Sequence, residues 1–174
     1  MQTLSGDLQT KAQKILTELV DFCNTELGFS VPGISLDNEG QPHFRIFFEY
    51  DDVCGFQLQV KLYITEEQNL HLGMSAMVGV LENQRPKAYL LEAVYADTYA
   101  EQIGSIVGSV QEKCTGCAVS VTEKRTVMYL KAVDVDYKNP DILVLARCMN
   151  DLLNDVKATF PELLQCWGFG GALE

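Results

Sequence analysis

Cys114 and Cys117 stand in the run EKCTGCAVS as a C-x-x-C pair, the spacing of dithiol redox centres and of half of many zinc sites. A structural zinc site needs four ligands, usually from a second paired motif. Cys54, Cys148 and Cys166 occur singly, and His43 and His71 lie far apart in the chain. A reactive dithiol gains from a helix N-terminus, which stabilises thiolate. The apolar spacing before Cys114 puts this pair at a helix C-terminus instead, where the negative end of the dipole raises a thiol pKa. A third account needs no chemistry. With Gly116 as the left-handed cap residue, Cys117 lies just beyond it, as Phe29 lies beyond Gly28, and packs back on the last turn. The cap is the expectation, with neither metal nor cofactor. Cys114 and Cys117 remain the alternative thiol or metal site.

The other chemistry-bearing residues have bland explanations. His43 opens a strand and His71 sits on the polar side of another. Neither has a Ser, Cys or Asp at a nucleophile-motif spacing, so both are expected to be solvated or hydrogen-bonded strand histidines. DVDYKNPD approximates a calcium loop through Asp134, Asp136 and Asp141, but Lys138 and Asn139 stand where an oxygen ligand and a glycine belong. Helix capping explains Asn139 and Asp141. Asp151 and Asp155, one turn apart, suit a solvated helix face. GFGG near the C-terminus lacks a following helix and a lysine, and neither H-E-x-x-H nor G-x-S-x-G occurs. No enzyme is expected. Tyr95, Tyr99, Ile103 and Ile106 in the central segment, with Trp167 and Phe169 in the tail, form a candidate interface, since such aromatics are enriched where proteins meet.

The bulk properties narrow the partners. Thirteen Lys plus Arg face 24 Asp plus Glu, a net charge of −11. That surface repels phosphate backbones and anionic lipid, so neither nucleic acid nor membrane is an expected partner. The 174 residues, 47% of them hydrophobic, suit a single domain with its own core. No run approaches the roughly 20 apolar residues of a membrane-spanning helix. MQTLSGDLQT has neither the basic run nor the apolar stretch of a signal peptide. Six mostly scattered cysteines then read as reduced thiols of a cytoplasmic protein.

The elements that must position these residues are written in the periodicities. Leu8, Ala12, Ile15, Leu16, Leu19, Phe22 and Cys23 share one face of a helix over about residues 7–27, with Ser5 as its cap and Gly28 as its left-handed end. A short strand fits residues 34–36. HFRIFFEY, FQLQVKLYI and LHLGMSAMVGV follow as strands, FQLQVKLYI alternating cleanly between apolar and polar and LHLGMSAMVGV repeating the pattern with Met77 on its other face. Residues 86–113 suit one or two helices, with 86–97 open to either helix or strand. CAVSV and TVMYLKAVDV are two more strands. The last helix has Asn139 as cap, Pro140 as its first residue, and a stripe through Ile142, Leu145, Met149, Leu152, Leu153, Val156 and Phe160. The tail, 166–174, is expected to be loose. The expectation is an α+β fold of order α-β-β-β-α-β-β-α, a mainly antiparallel five-stranded sheet with helices on one face.

So ordered, the chain resembles the type III secretion chaperone-like fold and, within it, the YbjN-like family. The likeness runs from about Leu8 to Leu164. It rests on a first helix ending ELGFSV, the turn LDNEG before a long strand, and VMYLKAVDVD entering NPDILVLARCMNDLLNDVKATFPELL. It implies a small, acidic, cytoplasmic bacterial protein, often a homodimer and without catalysis. Secretion chaperones of that fold hold a segment of another protein in hydrophobic grooves and along strand edges. The function expected is a non-catalytic protein-binding module, chaperone-like or regulatory. Two alternatives stand beside it: the thiol or metal protein, and a small-molecule sensor with its ligand near Met74, Met77 and HFRIFFEY.

Overall fold

The alternation in FQLQVKLYI and LHLGMSAMVGV becomes two long neighbouring strands in the computed structural model of the chain. The structure describes residues 6–49, 54–65, 67, 69–82, 85–87, 105, 107–121 and 127–166. In chain order these form α1 (Gly6–Glu26), β1 (Ser35–Leu36), β2 (Pro42–Glu49), β3 (Cys54–Ile64), β4 (Leu70–Glu82) and β5 (Arg85–Lys87). There follow α2 (residues 107–113), β6 (Ala118–Val121), β7 (Val127–Val135) and α3 (Ile142–Cys166). The sheet is antiparallel and runs β1-β2-β3-β4-β7-β6, while β5 folds back on β4.

The class is α+β with helices on one face of the sheet, as the periodicities imply. The strand count is a correction. Five strands were expected, and the described residues hold six along the path plus β5. β1, two residues long, falls in the short strand expected at residues 34–36, which the count of five left out, while β5, with three, is too short for a two-residue period to register. Residues 85–87 are therefore strand, and 88–104 lie outside the described residues.

Two compact units divide the chain. The first comprises Met1–Ile46, Gln59–Met74 and Ala132–Asn150; the second comprises Phe47–Leu58, Ser75–Lys131 and Asp151–Glu174. In the first, α1 buries Ala12, Ile15, Leu16, Leu19, Val20 and Cys23, while Leu8 and Phe22 stay half-exposed. These join Phe44, Val60, Leu62, Leu72, Leu145 and Met149 in the core. Gly28 takes φ +70°, the left-handed end expected of it. Phe29 N–H then donates to the Cys23 carbonyl at 3.0 Å. The Cys23 thiol lies 4.0 Å from Met149 Sδ, and burial pushes its pKa up to about 11.

Asp37 organises the turn between β1 and β2. Its Oδ1 accepts from Glu39 N–H at 2.9 Å and Gln41 N–H at 2.8 Å, and Gly40 follows at φ +75°. Its other oxygen pairs with Lys61 of β3. Partial burial works against the charge of Asp37. The Lys61 ammonium and the two N–H groups outweigh it and hold the carboxyl below the ordinary aspartate value.

The second unit packs Phe56, Leu58, Ala76, Val127 and Tyr129 of the sheet with Val110 of α2 and Leu152, Leu153, Val156 and Leu163 of α3. The start of α3 also needs correction. Asp141, not Asn139, is its cap, because Asp141 Oδ1 accepts from Val144 N–H at 3.2 Å. The helix proper opens at Ile142 rather than Pro140. Asn139 N–H is turned to Asp136 Oδ1 at 3.4 Å, beside Lys138 N–H at 2.9 Å, in the turn before the helix. α3 then runs through Pro161 to Cys166, the first residue of the expected tail. Residues 167–174 lie outside the described residues. No helix among the described residues is long and apolar enough to cross a membrane.

Candidate functional site

All of the candidate site lies in the second unit, where α2 hands over to β6. α2 ends on Cys114, whose N–H is shared between the carbonyls of Val110 and Gln111, both at 3.2 Å. The chain then turns through Thr115 and Gly116. Here the cap reading fails. Gly28, Gly33 and Gly40 have positive φ among the described glycines, and Gly116 does not.

Side chains direct the turn in place of a left-handed glycine. Gly116 N–H donates to Asp155 Oδ2 at 3.3 Å. The carboxamide of Gln111 reaches the outgoing chain at two points: its Nε2 donates to the Cys117 carbonyl at 3.1 Å, and its Oε1 accepts from Val119 N–H at 2.7 Å. A Cβ at position 116 would meet only Lys131 Nζ, at 3.1 Å, the movable end of a flexible side chain, so neither φ nor room demands glycine here.

That turn brings Cys114, Cys117 and Asp155 together, with their sulfur and carboxylate atoms all within 4.8 Å of one another. The Cys117 thiol donates to Asp155 Oδ2 at 3.5 Å. Cys114 is buried and the other two half-buried. Burial, then the negative charge of Asp155, raises the Cys114 pKa against the opposing pull of its bond with Cys117. Burial, Cys114 and Asp155 raise that of Cys117 well above the ordinary value. Both groups are therefore thiols at neutral pH, poor nucleophiles as they stand. The dipole argument has the right direction, but burial is the larger cause.

Behind the cluster runs a buried hydroxyl chain. Thr159 Oγ1 donates to the Asp155 carbonyl at 2.7 Å, so the Tyr129 hydroxyl, 2.7 Å away, donates to Thr159. Lys113 and Glu162 form an ion pair beside it, and Glu162 Oε2 is buried without a hydrogen-bond partner among the described residues.

No family model, curated protein or solved structure matches the chain.

Of the remaining candidates, His71 falls where its bland explanation put it, His43 does not, being neither solvated nor hydrogen-bonded at Nδ1 among the described residues, and others lie outside the described residues. His71 Nδ1 meets Asp134 Oδ1 at 3.1 Å and stacks on Tyr63, with ring centroids 5.8 Å apart. His43 Nδ1 is buried without a hydrogen-bond partner among the described residues. Asp134, Asp136 and Lys138 line an open pocket of about 560 Å³ with Asn69, Leu70, Val135 and Tyr137. Their carboxylates are already engaged, by His71 and by the turn before α3, while Asp141 serves as the cap. Met74 is buried and Met77 half-exposed, three residues apart on a strand and so on opposite faces, so they do not line one ligand site. Tyr95, Tyr99, Ile103, Ile106, Trp167 and Phe169 all lie outside the described residues.

Sequence reasoning missed Asp155, Gln111 and Thr159. Asp155 looked like one of two solvated acids, yet only Asp151 is exposed. Asp155 sits beside Val156 at the border of the buried α3 stripe, and that position was the available signal. Thr159 is a polar residue three positions on from Val156, and it is buried.

Proposed function

We propose that the chain is a non-catalytic, cytoplasmic protein-binding module, chaperone-like or regulatory, which takes an extended segment of a partner protein as an added strand along β6. The observation that carries the reading is the Gln111 carboxamide. Among the described residues β6 ends the strand order, with β7 as its neighbour. Because Val119 N–H and the Cys117 carbonyl face Gln111, the backbone groups of residues 117 and 119 point away from β7. A donor and an acceptor on one carboxamide meet them as the peptide group of a further strand would. The same parity turns Val121 N–H outward.

The surroundings support the choice of partner. Val121 and Leu130 are 37% and 38% exposed, so an arriving strand finds apolar side chains beside the edge. With a net charge of −11, an apolar segment carrying lysine or arginine is favoured over an acidic one. The likeness to secretion chaperones, which use strand edges, points the same way.

The test uses a short peptide of alternating valine and lysine. Saturable binding that slows amide exchange at Val119 and Val121 is the expected result. Val121→Pro removes an outward donor and spares the ladder to β7. It should weaken binding at least about tenfold, or about 1.4 kcal/mol. Binding unchanged in Val121→Pro, or no protection in β6, overturns the proposal.

A further inference from the structure

The α2–β6 turn sets two sulfurs against a carboxylate of α3, three of the four donors a tetrahedral thiophilic ion takes. We propose that Cys114, Cys117 and Asp155 form a binding site for a divalent transition metal, zinc foremost, with a fourth position left for water. The loose and the bound geometries differ little. Zinc–sulfur bonds of about 2.3 Å and zinc–oxygen bonds of about 2.0–2.2 Å place two sulfurs about 3.8 Å apart and a sulfur and an oxygen about 3.5 Å apart. Cys117 Sγ and Asp155 Oδ2 already stand 3.5 Å apart, and no pair of donor atoms exceeds 4.8 Å. Side-chain rotation of about an ångström closes the set.

Three further features suit an ion. The ligands come from separate places, the end of α2, the turn and α3, so binding would tie those elements together. Gly116 N–H holds Asp155 at 3.3 Å, the kind of outer contact that orients a ligating carboxylate. Two thiolates and a carboxylate around a divalent ion leave one negative charge. Lys131, whose ammonium lies beside Gly116, offsets it. Softness selects the metal: sulfur donors favour zinc, cobalt and copper over magnesium or calcium.

The site rests on observations separate from the strand-addition proposal, and either stands without the other. Cobalt is the probe, added to the reduced full-length protein. One equivalent should produce a thiolate-to-cobalt charge-transfer band together with the intense visible bands of a tetrahedral ion. Zinc added afterwards should remove them. Cys117→Ser should abolish the charge-transfer band or displace it, and Asp155→Asn, which keeps an acceptor for Gly116, should weaken uptake by about 10- to 100-fold. Cys148→Ser, outside the cluster, should change neither. A second measurement needs no variant: zinc should protect Cys114 and Cys117 of the native chain from alkylation, mapped by peptide mass. No stoichiometric cobalt uptake by the reduced protein overturns the proposal. So does protection that falls on other cysteines.

Discussion

At the scale of single residues, Asp37 shows how a carboxylate is put to work without a site. Its carboxyl is held below the ordinary aspartate value by Lys61 and two backbone N–H groups. The folded chain thus binds fewer protons there than the unfolded one. The stabilisation is full above the ordinary aspartate value and is lost as pH falls through the lower folded value. Asp37→Asn keeps the oxygen that accepts from Glu39 and Gln41 but loses the ion pair. It should cost up to about 1 kcal/mol at neutral pH, and the gap to the parent should close in acid. Urea melts at neutral and strongly acid pH measure both, and a pH-independent gap would mean the ion pair contributes nothing. Asp155 is the contrary case. Nothing near it in sequence announces Cys117, 38 positions away, and an aspartate at the edge of an apolar stripe reads like any solvated acid.

Elements were legible where their pattern is local and long. β3 carries its alternation through Phe56 to Ile64 and β4, Met77 apart, from Leu70 to Val80, and α1 declares its stripe and its Gly28 end within itself. β5, with three residues, is too short to do so. The cap of α3 was misplaced because Asn139 and Asp141 are both good cap residues two positions apart. Only the Val144 N–H decides between them. The α2–β6 handover was legible in position but not in cause, since a glycine after a helix usually means a left-handed cap, and here a distant carboxylate and a glutamine supply the turn. Gln111 is thus a structural residue on an exposed position. Gln111→Ala should lower stability by about 1–3 kcal/mol, from two hydrogen bonds of about 0.5–1.5 kcal/mol each. Amide exchange at Val119 should quicken more than exchange in β3 or β4. An unchanged Val119 would remove the clamp from the account.

On the scale of the whole molecule, the excess of acid over base keeps copies apart at long range, while a homodimer, which the family resemblance implies, would require a short-range attraction to exceed that repulsion. Sedimentation velocity across a dilution series should show a dimer that weakens in Tyr95→Ser and Tyr99→Ser with the fold intact. Equal dimer affinity in the parent and both variants would count against that interface. The Gln111 carboxamide has a consequence of another kind, in time. An exposed side chain changes rotamer within picoseconds to nanoseconds, far faster than a partner segment diffuses in and aligns. Gln111 would therefore leave the edge many times during each encounter. It would not slow capture but would compete with the incoming strand at equilibrium, so that weakly matched segments are released and well-matched ones remain.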